Sequence, residues 1–292
     1  MRILACYNMK GGVGKTTSAV NLAFCAAESG ARVLLWDLDP QGAATFHLGV
    51  EAVAATKLKK LFKDKRSLSD WAQPTPYPGL DVVPAGFGYR HLDVELGESK
   101  KSCRKFAKAF EGMAPYDYVF LDCPPSISAL SEGVFCAADA LLMPLTPSPL
   151  SRQTFERVRT YLAEGPEGAA EDDKDRKHKD DKKGKDEKKG KKDGKSGKDG
   201  KNADEDRADA ADAPVLPIHA FFTMVDRRKT LHRAAVLASL REPEFCETSI
   251  PLRADVEAMG LRRAPLAAFA PDSDAALAYR ALWAELTRRL SA

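Results

Sequence analysis

The stretch Tyr7-Asn-Met-Lys-Gly-Gly-Val-Gly-Lys-Thr-Thr17 stands between the apolar run Arg-Ile-Leu-Ala-Cys (residues 2–6) and a helix-like run ending near Gly30. A loop that leaves a buried strand and enters a helix presents unpaired backbone N–H groups at the positive helix end. Gly11, Gly12 and Gly14 allow close approach to that backbone and left-handed conformations. Lys15 can then neutralise the β- and γ-phosphates of a nucleotide, and the Thr16 hydroxyl can complete a magnesium shell. Val13 and Thr17 complete this cofactor-binding loop. The usual pattern, Gly, four residues, Gly-Lys-Ser/Thr, requires a glycine at position 9. Met9 stands there, and an extra lysine, Lys10, follows it. A phosphate loop with two lysines is the feature to explain.

The elements that must hold this loop are legible as short apolar runs, each followed by a helix-like segment. "RILACY", "RVLLWDLD", "LDVVPA", "DYVFLDCPP", "ADALLMPL", "PVLPIHAFF" and "FCETSI" read as strands. Continuous rather than alternating apolar character suggests a sheet buried on both faces. Strand–helix alternation implies parallel strands with right-handed crossovers. The expected fold is α/β: one doubly wound, mostly parallel sheet with helices on both faces. The chain ends in "DSDAALAYRALWAELTRRL", where Ala275, Leu277, Tyr279, Leu282 and Leu286 form a helical stripe.

At 292 residues, with 44% hydrophobic and 30% charged residues, the chain can bury a core of useful size. The formal net charge of +3 is too mild to require a nucleic-acid partner. No apolar run approaches the ~20 residues that span a bilayer, and the N-terminal run is too short for a signal-peptide core. Six scattered cysteines without a Cys-x-x-Cys pair fit reduced thiols better than a disulfide framework or zinc site. A cytoplasmic protein is expected. Between about 165 and 213 the chain is Lys, Asp, Glu and Gly without large apolar residues. Such a stretch cannot offset the entropy of ordering. It reads as a disordered, solvated insertion within a single domain spanning 1–292.

The residues Lys10-Gly-Gly-Val-Gly-Lys-Thr-Thr17 resemble the deviant Walker A loop of the ParA/MinD family of P-loop ATPases. In that family the lysine matching Lys10 crosses a dimer interface to the phosphates of the other subunit's ATP. The resemblance thus assigns one lysine to its own nucleotide and the other to a partner. "LLWDLDPQGAAT" is similar to the family's switch I, which implies that Asp39 positions the attacking water and Asp37 lies near the metal. "YDYVFLDCPPS" is similar to its Walker B and switch II, which gives Asp122 to magnesium. Thr223 and Met224 follow a strand where the family holds its adenine. ATP, Mg2+ and a homodimer formed on ATP binding are therefore implied.

Within the family, the terminal "LTRRLSA" continues a helix and leaves no apolar face for a membrane. Cys123, after the Walker B aspartate, reads as a small buried thiol rather than a cluster ligand. DNA partitioning or cargo positioning is the expectation, with non-specific DNA bound by Arg227, Arg228, Lys229 and Arg233, and by Arg253, Arg262 and Arg263. Asp255 stands where the family usually has a basic residue. A ParB-like or other cargo adaptor is the implied stimulator of slow hydrolysis, and nucleoid association follows from DNA binding. The alternatives are a nucleotide-switch module with little hydrolysis and one that localises a surface-polysaccharide or secretion apparatus.

Overall fold

The structure is a computed structural model, and it describes residues 1–51, 67–86, 89, 96–97, 99–113, 115–164 and 215–291. The Lys/Asp/Gly-rich insertion expected at 165–213 lies outside the described residues. The chain divides into two units, Met1–Val158 with Leu216–Ala292, and Arg159–Val215.

Seven strands form one sheet in the order β3-β4-β2-β5-β1-β6-β7. They are β1 (Arg2–Cys6), β2 (Val33–Asp37), β3 (Gln73–Pro74), β4 (Leu80–Val83), β5 (Tyr118–Asp122), β6 (Ala140–Leu145) and β7 (Ile218–Phe222). Every neighbouring pair is parallel except β3–β4. The expected doubly wound, mostly parallel sheet is therefore present. Its centre is buried on both faces: all five residues of β2 and all six of β6 are buried. Trp36 on β2 is fully enclosed, and its indole N–H donates to the Tyr89 hydroxyl at 3.0 Å. Burying such a side chain stabilises by roughly 1.5–3 kcal/mol.

The helices are α1 (Lys15–Glu28), α2 (Ala43–His47), α3 (Ser99–Phe110), α4 (Ala129–Ala137), α5 (149–164), α6 (Thr230–Ser239), α7 (Ala254–Arg262), α8 (Leu266–Phe269) and α9 (Asp274–Ser291). Helix α1 ends where the sequence indicates, at Gly30 with φ 93°, whose N–H bonds to Ala27 O while Ala31 N–H reaches Ala26 O. On α9, Ala275, Tyr279, Leu282 and Leu286 are buried, but Leu277 is half exposed, and Trp283 packs inward in its place. The buried Glu285 was not foreseen. Its carboxylate accepts N–H bonds from Glu247 and Thr248 at 2.8 and 2.9 Å. Two N–H groups of "FCETSI" are thus spent on a side chain, and the segment is not a strand. It meets the sheet only at an isolated bridge, Ala220 to Phe245, and at single backbone bonds.

The expectation of six reduced thiols fails at one pair. Cys103 on α3 and Cys136 on α4 are bridged, with Cα atoms 5.4 Å apart. Gly133 permits this approach, since a Cβ there would lie 2.3 Å from Ser102 Oγ and 2.4 Å from Phe106 Cδ2. A separation of 33 residues carries no sequence signal for it. Cys6, Cys25, Cys123 and Cys246 are free and buried. Among the described residues, no helix is long and apolar enough to cross a membrane.

Candidate functional site

The loop between β1 and α1 lies at the C-terminal edge of the sheet and is anchored from both sides. The fully buried Asn8 donates its amide to Pro144 O at 2.7 Å and accepts the Lys10 N–H at 2.8 Å. The carbonyl of buried Val13 accepts from Thr223 Oγ1 at 2.8 Å, which ties the loop to the end of β7. Gly12 and Gly14 have φ of 71° and 85°, so both need the left-handed region. Gly14 caps α1 without any side-chain hydrogen bond, which leaves the first-turn N–H groups available to an anion. Lys15 is only 7% exposed, and its ammonium donates to Lys10 O at 3.0 Å. Burial lowers its pKa, and the Asp122 carboxylate is the main opposing influence. Lys10 itself is half-buried, and no described residue pairs with its ammonium.

Asp37 and Asp122 end β2 and β5 as register partners, and neither is exposed. The sheet thus sets two carboxylates side by side before the loop. Neither Asp122 oxygen has a well-formed hydrogen bond, although the Thr16 side chain lies near enough to oppose the pKa rise. Burial, and then the Asp37 charge, hold the Asp122 pKa well above the usual carboxylate range. Asp37 is pushed up to about 6, mainly by burial. Its Oδ2 accepts from Thr45 N at 2.8 Å and Thr45 Oγ1 at 2.7 Å. Asp39 is half-buried, and its Oδ1 accepts the Gln41 N–H at 2.9 Å.

An unpartnered buried carboxylate beside the Thr16 hydroxyl is an oxygen-only donor set, which suits Mg2+. Among the described residues no group of three His, Cys, Asp or Glu could hold a metal alone. Asp37, already engaged by Thr45, stands behind this pair. Cys6 and Cys123 are buried with raised pKa values and remain thiols.

Beside the loop lies a cavity of about 110 Å³ lined by Gly14, Thr17, Thr223, Met224, Pro251 and Glu257. Thr223 and Met224 thus line one cavity with Gly14 and Thr17 of the phosphate loop, and Met224 has a left-handed φ of 55°. Pro251 and Glu257 were missed, because the chain returns to this pocket through a turn held by Glu285. Asn8 and Thr45 were missed as well, although each lies beside a residue the sequence singles out.

The basic residues are divided. Arg228 forms a two-bonded pair with Asp226, at 3.0 Å for each bond, and this holds the Asp226 carboxyl pKa down to about 2. Arg253 pairs with Asp274 at 2.6 Å, and Arg263 lies over the Phe46 ring. Arg227 and Arg262 are exposed without an acidic partner among the described residues, Lys229 is exposed but adds its charge to the field on Asp226, and Arg233 donates to Thr230 Oγ1 at 3.5 Å. Asp255 lies exposed in the first turn of α7.

Comparison with known proteins agrees with this geometry. The family model AAA_31, described as an AAA domain, matches residues 1–164. The chromosome partitioning protein ParA of Caulobacter vibrioides is 41% identical over 173 residues, which cover 56% of this chain and 65% of that protein. The match therefore spans just under two thirds of this relative. An uncharacterized protein of Pseudomonas putida is 30% identical across 99% of this chain and 95% of its own. Among solved structures, the septum site-determining protein MinD of Pyrococcus horikoshii, complexed with Mg-ADP, superposes with a TM-score of 0.67. It is 18% identical and covers 98% of this chain and 95% of its own, which shows a shared fold. The P-loop fold, the loop with two lysines and these relatives together place the chain in the ParA/MinD family.

Proposed function

We propose that the chain is a magnesium-dependent ATPase that forms a homodimer on binding ATP and partitions or positions DNA or another large cargo. The observation that carries this reading is the buried Lys15 at an uncapped helix N-terminus, facing the orphaned Asp122 carboxylate. The first-turn N–H groups and Lys15 meet the β- and γ-phosphates. The Thr16 hydroxyl and Asp122 would hold Mg2+, which supplies charge neutralisation to the phosphates. Asp39 at the loop mouth orients the attacking water, and Asp37 with Thr45 fixes the strand end from which Asp39 projects. The small cavity by Thr223 and Met224 takes the adenine edge.

The unpaired Lys10 ammonium reaches the ATP of the second subunit. Ile127 and Leu150 are 44% and 56% exposed in segments that follow β5 and β6, at the sheet edge where the phosphate loop lies. DNA phosphates are met by Arg227, Lys229, Arg233 and Arg262, none of which forms an ion pair with an acid among the described residues. A ParB-like or cargo adaptor stimulates slow hydrolysis, and the protein works in the cytoplasm on the nucleoid. ATP turnover measured with Mg2+, with and without duplex DNA, tests the proposal against a Lys15→Ala control. Turnover equal to that control in all conditions would refute it.

A further inference from the structure

We infer that Arg263 is a positioning residue for the switch I segment, clamping α2 through Phe46. This rests on the ATPase reading for its kinetic consequence but not for its structural one. Helix α2 has only five residues and lies between two left-handed glycines, Gly42 with φ 66° and Gly49 with φ 71°. Such a short helix has no intrinsic stability and holds its place through tertiary contacts. Its inner side is fixed by buried Ala44 and Thr45, and by Leu48 at its C-cap. Its outer side is Phe46, 47% exposed, and the Arg263 guanidinium covers that ring with its carbon 4.8 Å from the centroid. Arg263 Nε also lies 3.5 Å from Phe46 O, a weak contact in the same direction.

Arg263 caps the C-terminus of α7 with φ 48°, a left-handed position that normally favours glycine. A bulky residue kept in that conformation points to a role for its side chain. The turn brings the guanidinium back onto α2. Through α2, the clamp is continuous with the site. Phe46 N–H bonds to Gly42 O, Gly42 N–H bonds to Asp39 O, and Thr45 holds Asp37. Movement of α2 would displace Asp39 and loosen Asp37 together. A cation over an aromatic face is attractive by its charge, so lysine should serve partly and alanine not at all.

The test compares wild type with Arg263→Ala, Arg263→Lys, Phe46→Leu and the Arg263→Ala/Phe46→Leu double variant. It reads ATP turnover and amide hydrogen exchange at residues 43–48. Arg263→Ala should lower kcat by about fivefold with KM within about twofold, and should speed exchange of these amides by a similar factor. Arg263→Lys should fall between, and the double variant should be no worse than either single change. Unchanged exchange in Arg263→Ala, or single effects that multiply in the double variant, would overturn the inference. If the wild type shows no turnover, the ATPase reading falls, and hydrogen exchange still decides whether Arg263 clamps α2.

Discussion

Replacing Thr45 by valine should damage the protein far more than its place outside the phosphate loop suggests. Thr45 is 1% exposed, and its hydroxyl donates to Asp37 Oδ2 at 2.7 Å while accepting the Ala85 N–H at 2.9 Å. Valine keeps the shape and removes both bonds. Loss of a hydrogen bond to a charged group costs about 1.5–3 kcal/mol, and leaving the Ala85 N–H unpaired costs about 1–3 more. Allowing for relaxation, destabilisation of about 3 kcal/mol is expected. For a structured unit of this size that corresponds to a fall in Tm of roughly 6–12 °C.

The effect should also depend on pH. Asp37 is pushed up to about 6 by burial, from an ordinary 3.8, with Thr45 acting in the opposite direction. In the window between those values the folded state holds a proton that the unfolded state has released. Asp37 therefore costs stability progressively as pH rises through it. Without the Thr45 hydroxyl the pKa rises further and the penalty extends to higher pH. Valine should thus be worse at pH 7.5 than at pH 5. Urea unfolding of Thr45→Val and Thr45→Ser at both pH values measures this, and serine, which keeps the hydroxyl, should recover most of the loss. A valine midpoint shift worth less than about 1 kcal/mol, or a larger loss at pH 5, would refute the reasoning.

Lys15→Ala should weaken ATP binding on the order of 100-fold, the worth of a charge-assisted contact to phosphate, as read by calorimetric titration. Asp122→Asn should leave the fold within about 1 kcal/mol of wild type, because no bond to that carboxylate is lost, but should abolish the Mg2+-dependent rise in Tm with ADP. Asp39→Ala should bind ATP and accumulate as a dimer with little turnover, which phosphate release and sedimentation measure together. Arg227→Glu with Lys229→Glu should weaken DNA binding alike for all sequences and flatten its salt slope by about one unit for each lost phosphate contact. Mobility shifts across salt concentrations check this.

What the sequence disclosed, and what it hid, follows from the range of each interaction. The apolar runs of β1, β2, β5 and β6 and the stop at Gly30 are local, and so is the phosphate loop; all were legible. Asp37 and Asp122 were recognisable as strand ends, yet their contrast was not. Only the fold shows Asp37 filled by Thr45 and Asp122 left open. The basic clusters illustrate the limit most clearly. Composition counts Arg228, Arg253 and Arg263 as free cations, whereas Asp226, Asp274 and the Phe46 ring take them up. The "FCETSI" segment has strand-like residues, but the N–H groups of Glu247 and Thr248 go to the distant Glu285 carboxylate and not to the sheet. The Cys103–Cys136 bridge likewise depends on a helix contact through Gly133.

On the proposed function, nucleotide joins two copies of this chain through Lys10. Sedimentation velocity with Mg2+ and a slowly hydrolysed ATP analogue, beside the same protein with ADP, addresses it directly. The wild type should sediment as a dimer with the analogue and as a monomer with ADP. Lys10→Ala should remain a monomer with both, while titration shows that it still binds ATP. A wild type that stays monomeric with the analogue, or a Lys10→Ala protein that dimerises as well as wild type, would contradict the account.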